Sequence, residues 1–246
     1  MVTKTEAVVL RTVDYSESSL IVTLFTRKHG VIAVIAKGAK RPKSKFSALM
    51  VPGQVLEVVV YIKPTRNVQT LSEASYLLKL DQLRIDLEKL ALATTTLELI
   101  NQVLHENEVN EILFAFLVKF LRWINSCDNP GRIIFPYVQL RVMSHIGIGI
   151  QPEENIDDET SSGYMNIELG TLSQNTEGAE SVQLTSGQFQ FIRDTIFSKK
   201  KSIFRIDLEK SELSELIEYL DRYIRYHIEG VKPRKSDGIF DKILDH

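Results

Sequence analysis

The 246-residue chain is predicted to be an α+β protein: a five-stranded antiparallel barrel of the OB type over residues 1–80, then an α-helical domain over residues 81–246. Three observations predict it. Five short β-like segments crowd into the first 80 residues, the apolar period lengthens from two to about 3.6 residues after Leu83, and the charge changes sign at the same place. Residues 1–80 hold 12 Lys and Arg against 5 Asp and Glu, whereas the remainder holds 18 against 27, so the overall charge of -2 conceals two electrically different halves.

The β-like segments lie near residues 6–13, 19–26, 31–37, 55–62 and 69–77. In the fourth, Leu56, Val58, Val60 and Ile62 alternate with Val55, Glu57, Val59 and Tyr61, as a mostly buried strand requires. Leu20–Phe25 and Val31–Ile35 are apolar on both faces, and Thr26–Gly30 between them has the polar, glycine-ending form of a hairpin loop. Five strands with a long basic third connection fit an OB barrel.

From Leu83 onward, Leu87, Leu90, Thr94, Leu97 and Leu104 fall on one helical stripe. Residues 110–124, with Phe114, Phe116, Phe120 and Trp123, are apolar nearly all round and predict the buried central helix of a bundle. A further helix is expected to start near Pro136 and stop at Gly147. Residues 151–180 form an acidic insertion with eight acids (Glu153, Glu154, Asp157, Asp158, Glu159, Glu168, Glu177, Glu180) and no Lys or Arg, containing a hairpin around Tyr164–Leu169. Ser186 and Ser211 are the expected caps of two last helices, the second ending by Gly230 and Pro233.

The sharpest chemical feature is the stretch from Lys37 to Phe46, where Lys37, Lys40, Arg41, Lys43 and Lys45 put five cations in nine residues. Displacing condensed counterions from a nucleic-acid backbone supplies affinity without reading sequence, and these cations suit phosphates. Phe46, with Tyr15 and Tyr61, is a candidate for stacking on unpaired bases. The plain alternative for the stretch is a solvated loop without a ligand. Arg27, Lys28 and His29, hairpin-tip residues on the plain reading, are candidates for extending the same groove. Lys232-Pro233-Arg234-Lys235-Ser236 is a second basic cluster, read equally as a frayed tail or a contact.

Enzyme signatures are missing or weak. The chain has no phosphate-loop motif, no Gly-x-Ser-x-Gly elbow and no complete dinucleotide fingerprint. His29, His105, His145, His227 and His246 show no metal-ligand spacing, and the single cysteine, Cys127, excludes a disulfide framework or a four-thiolate metal site. No catalytic residue, metal or cofactor is therefore expected. A reducing cytoplasm is the expected compartment, since no secretory leader is read at the start and residues 112–124 are too short and too charged to span a bilayer.

At this point the residues resemble the RecO family of bacterial recombination mediators. The resemblance is carried by residues 18–26, Gly30 and residues 36–46, then by Leu71-Ser72-Glu73-Ala74 and the stretch from His227 through Gly230 to Lys235-Ser236. It implies an OB barrel that binds single-stranded DNA, a helical domain and no catalytic turnover, in a DNA repair and recombination protein that works at the bacterial nucleoid. It also implies partners: RecR, the acidic C-terminal tail of single-stranded DNA-binding protein, and, indirectly, RecA loaded onto coated DNA, with annealing of complementary strands. Carried over by position, Lys37, Lys40, Arg41, Lys43 and Lys45 would contact phosphates, and Arg122, Arg132 and Arg141 are candidates for the acidic tail. Many relatives carry a four-cysteine zinc module where this chain has its acidic insertion, so zinc is not expected, and like charges put DNA contact by that insertion in doubt.

Two other classes compete. An OB-type RNA-binding protein of translation or ribosome assembly would show the same basic loop. A hydrolase would need a carboxylate pair such as Asp14 and Glu17, which on a loop are more simply solvated turn residues.

Overall fold

Strand β1 (Val2–Asp14) is long enough to pair with two neighbours, and this closes the barrel. Its first half, Val2 to Val8, runs antiparallel to β4 (Val55–Tyr61), and Ala7 to Asp14 runs antiparallel to β2 (Leu20–Thr26). A register shift between Val9 and Arg11 marks the change of partner, and the freed Val9 peptide bonds Gly53 and Gln54 instead. With β3 (Gly30–Ala36) and β5 (Val68–Leu78) the order is β1-β2-β3-β5-β4, an OB-like closed ring. The computed structural model describes residues 1–153, 156, 162–176, 178–197, 204, 206–238 and 242.

The expected all-antiparallel pairing needs one correction. Residues 33–35 of β3 pair in parallel with residues 68–70 of β5. A closed ring of five strands cannot alternate in direction throughout, so one seam must be parallel. The inward side chains, among them Val22, Leu24, Val34, Leu56, Val58 and Val60, are fully buried, which suits a small barrel filled by its own residues.

Helix α1 (Gln82–Ile85) is a single turn, and α2 (Leu87–Val103) starts afresh after Asp86, whose carboxylate accepts the Glu88 and Lys89 N–H groups. That break resets the helical phase and corrects the expected stripe. Leu83 and Leu97 are buried, but Leu87, Leu90 and Thr94 face solvent, and α2 buries Leu92, Ala93, Thr96, Ile100 and Val103. Helix α3 (Glu111–Ser126) is capped by Asn110 and buries one face only: Leu113, Phe114, Leu117, Phe120, Leu121 and Ile124. Ile112 is 69 % exposed, so α3 is amphipathic and not the all-round core helix expected. Its anchor on the barrel is Phe114, edge-on to Phe25 at 5.4 Å.

The chain divides into two compact units, Met1–Pro130 with Pro233–His246, and Gly131–Lys232. The second holds α4 (Ile134–His145), β6 (Gln151–Pro152), β7 (Gly163–Asn166), β8 (Thr171–Ser173), β9 (Ser181–Leu184), α5 (Ser186–Phe197) and α6 (Lys210–His227). Its strands form a sheet of order β6-β8-β7-β9, with the expected hairpin as β7 and β8. Met165, Ile167, Leu172 and Leu184 are buried there, so this small sheet is held by apolar contacts. Of the eight acids, Glu154, Asp157, Asp158, Glu159 and Glu177 lie outside the described residues.

Two caps differ from expectation. Thr185 caps α5: its hydroxyl accepts the Gln188 N–H at 3.3 Å and its own N–H donates to Gln188 Oε1 at 3.0 Å, a reciprocal box that leaves Ser186 inside the helix. Glu209 caps α6 in the same way with Glu212, leaving Ser211 inside the helix as well.

Candidate nucleic-acid interface

The connection from β3 to β4 is a succession of turns pinned from within. Ala39, Phe46, Leu49 and Met50 enter the barrel core, and backbone bonds from Ala39 to Ala36, Arg41 to Gly38 and Ser44 to Arg41 close each turn. With its apolar residues inward, the loop must turn its charges outward. Lys37, Lys40, Arg41, Lys43 and Lys45 are all exposed. Lys40 also ties this loop to the one between β1 and β2, its N–H donating to Ser18 O at 3.0 Å and its ammonium meeting Asp14 at 2.8 Å.

The register of the barrel defines the face beside that loop. Val13, Ile21, Ile35, Thr70 and Tyr61 are successive pairing partners across β1, β2, β3, β5 and β4, and Arg11, Thr23, Ala33 and Val68 form the next row. All nine lie on the outward side, so the barrel wears an apolar band bordered by polar groups. A shallow cleft of about 230 Å³ opens on this band, lined by Tyr15, Ile21, Ile35, Lys37, Arg66, Val68 and Thr70. The face over the second and third strands, between the β1–β2 and β4–β5 loops, is where OB barrels hold oligonucleotides and oligosaccharides. Tyr15 supplies a ring that is 61 % exposed at one bank, and Arg66 a guanidinium at the other.

Of the sequence candidates, Lys37 lies in the cleft, and Arg41, Lys43 and Lys45 continue from it along the loop. Among the described residues no carboxylate is within ion-pair distance of these four or of Arg66. Lys40 is partly neutralised by Asp14. Phe46 is a correction: at 7 % exposure its ring is packed in the barrel core, with Lys45 Nζ 5.4 Å above it, and has no face to offer a base. Tyr15 and Tyr61 remain as exposed rings.

Arg27 and Lys28 are not brought to the cleft. They line a separate hollow with Lys4, Thr5, Glu6 and Glu57. There Arg27 pairs with Glu6 at 3.1 Å, Lys4 with Glu57 at 2.7 Å, and Lys28 donates to the Lys4 carbonyl. Arg27 also stands 5.9 Å from the Phe114 ring centroid, and His29 shares a hydrogen bond with Thr3. Burial, then the neighbouring Lys28 charge, hold the His29 ring below its ordinary imidazole value.

Arg66 and the neighbouring Lys63 escape a sequence reading, because two cations in a six-residue loop make no cluster. The available signal is topological: once five strands are assigned as an OB barrel, the β4–β5 loop is a bank of the groove whatever its charge density. Arg122 lies exposed on α3 of the first unit, while Arg132 and Arg141 are half-buried residues of the second. Next to Arg141, His145 is held below its ordinary value by burial and then by the Arg141 charge. Asp14 meets Lys40, not Glu17, and no cluster of three metal-ligating side chains occurs among the described residues. No described helix is long and apolar enough to cross a membrane.

Barrel and cleft together define the chain as an OB-barrel protein with an added helical region and a basic, apolar-floored groove. The profile of the family described as Recombination protein O N terminal matches residues 1–78, and that of Recombination protein O C terminal matches residues 84–237, so the chain belongs to the recombination protein O (RecO) family. Among similar proteins, the DNA repair protein RecO of Salinibacter ruber is 40 % identical over 147 residues, 60 % of this chain and 56 % of that protein. The DNA repair protein RecO of Bacillus subtilis is 37 % identical over 63 % of this chain and 59 % of its own length. That of Chloroherpeton thalassium is 28 % identical over 99 % of this chain and 100 % of its own length.

Proposed function

We propose that this chain is a non-catalytic DNA repair and recombination mediator that holds single-stranded DNA on the outward face of its barrel, anneals complementary strands and helps load RecA. The observation that carries this reading is the cleft itself, where Lys37 and Arg66, matched by no carboxylate among the described residues, flank an apolar floor beside the exposed ring of Tyr15. Cations at both banks suit a phosphodiester backbone, and an apolar floor with an aromatic suits bases freed from pairing. Arg41, Lys43 and Lys45 extend the positive track along the pinned loop. RecR and the acidic tail of single-stranded DNA-binding protein are the proposed protein partners, with Arg122, Arg132 and Arg141 as proposed contacts for the tail.

The test is a titration of single-stranded DNA at several salt concentrations. Affinity falling steeply with salt, and a weaker slope in the Lys37→Glu, Arg66→Glu double variant, is the expected result. Salt-independent binding, or binding untouched by that double reversal, rejects the site. Competition by RNA of the same sequence separates this reading from an RNA-binding one, since tighter RNA binding would favour the latter.

A further inference from the structure

We infer that the segment from Pro233 to Asp237 is a strap that fastens the return of the chain to its first compact unit, with the Glu98 carboxylate as its lock. The chain leaves that unit after Pro130 and rejoins it at Pro233, so residues 131–232 are an insertion with two tethers. The first tether continues directly from α3, which is packed on the barrel through Phe114. The second tether enters the unit at Pro233 and needs a holding point there.

Glu98 supplies that anchor from α2. Its Oε1 accepts the Lys235 N–H at 2.8 Å, and its Oε2 accepts the Ser236 N–H at 3.0 Å and the Ser236 hydroxyl at 2.8 Å. Two consecutive backbone N–H groups aimed at one anion form a nest, and a charged acceptor strengthens each bond. Burial works to raise the Glu98 carboxyl, yet the bonds from Lys235 and Ser236 bring it below its ordinary 4.5. Beside the lock, Arg234 is buried and donates from Nε to Asp237 at 2.8 Å, and Ser236 is also buried. The stretch that reads in sequence as a basic tail therefore has its central Arg turned inward. Helix α2 packs against β1, so the strap is fastened to a helix that rests on the barrel wall.

Limited trypsin digestion of the full chain tests this, with cleavage after Arg234 and Lys235 followed by mass spectrometry alongside amide hydrogen exchange. In the unaltered protein both peptide bonds should be protected. Glu98→Gln, which offers one acceptor where the carboxylate offers two, should speed cleavage and exchange at Lys235 and Ser236 on the order of tenfold, with barrel amides unchanged. Ser236→Ala should give a smaller change at the same two amides. Local exchange and cleavage within twofold of the unaltered protein in both variants would overturn the strap. So would acceleration in Ser236→Ala that is spread evenly through the barrel strands, which would mark loss of folding and not release of a segment. If Glu98→Gln does not fold, Ser236→Ala decides alone: faster local exchange supports the strap, and unchanged exchange refutes it.

Discussion

The barrel carries two groups of cations that look alike in sequence and differ in what surrounds them. In the hollow of Lys4, Arg27 and Lys28, two charges meet carboxylates and the third meets a backbone carbonyl. At the cleft, Lys37 and Arg66 meet no described carboxylate and stand beside half-buried apolar side chains. A cation already matched by a carboxylate has little field left for a phosphate, whereas an unmatched one beside low-dielectric surface keeps most of it. Counting positive residues therefore finds Lys37 and Arg27 alike and misses Arg66, and only the partners each cation meets set the two groups apart.

The largest effect should come from the hollow's side of the barrel and fall on stability. Gly30 has a φ of +63°, and a Cβ there would sit 2.1 Å from the Glu108 carbonyl oxygen, so Gly30→Ala should cost about 3 kcal/mol or more in urea unfolding. Next comes binding at the cleft. Lys37→Glu with Arg66→Glu should lower single-strand affinity on the order of a hundredfold in moderate salt and flatten the log–log salt slope by about 1.4, at roughly 0.7 for each phosphate no longer neutralised. Arg27→Glu with Lys28→Glu should instead lower the unfolding midpoint and leave affinity within about threefold. If that pair weakens binding as much as the cleft pair does, the contrast between the two regions fails.

Tyr15→Ala should cost about 1–3 kcal/mol of single-strand binding by fluorescence titration and much less for duplex DNA, because only unpaired bases can stack. Asp14→Asn releases Lys40 from its 2.8 Å pair and should raise affinity, by about twofold, detectable at low salt. The smallest effect concerns pH. The depressed carboxyl of Glu98 means that its stabilisation is complete above 4.5, the ordinary value, and is lost as pH falls through the folded-state value. The Glu98→Gln variant should lack that part of the acid dependence, as read by unfolding at a series of pH values.

The barrel was legible because five short β-like segments, one cleanly alternating and two apolar on both faces, crowd into 80 residues and the third connection is long and charged. The parallel seam was not, since residues 33–35 and 68–70 carry no local mark of direction; only ring closure demands it. Periodicity failed at α2 because Asp86 ends one helical phase and begins another, which hides Leu92 and Thr96 and exposes Leu87 and Leu90. At the candidate site the loop cations were readable as a cluster, but Phe46 was not readable as a core plug. An aromatic among lysines looks like a base-stacking group until the turns that carry it are seen to fold over the barrel end. Arg66 was invisible for the opposite reason, being a lone cation whose meaning comes from the strands on either side of it.

The two-tether connection has a consequence for biosynthesis. A ribosome delivers the barrel strands first, but the groups that Glu98 holds are incorporated only after residue 232, once the whole inserted unit has been synthesised. The nascent first unit therefore lacks its last piece while about a hundred further residues are translated.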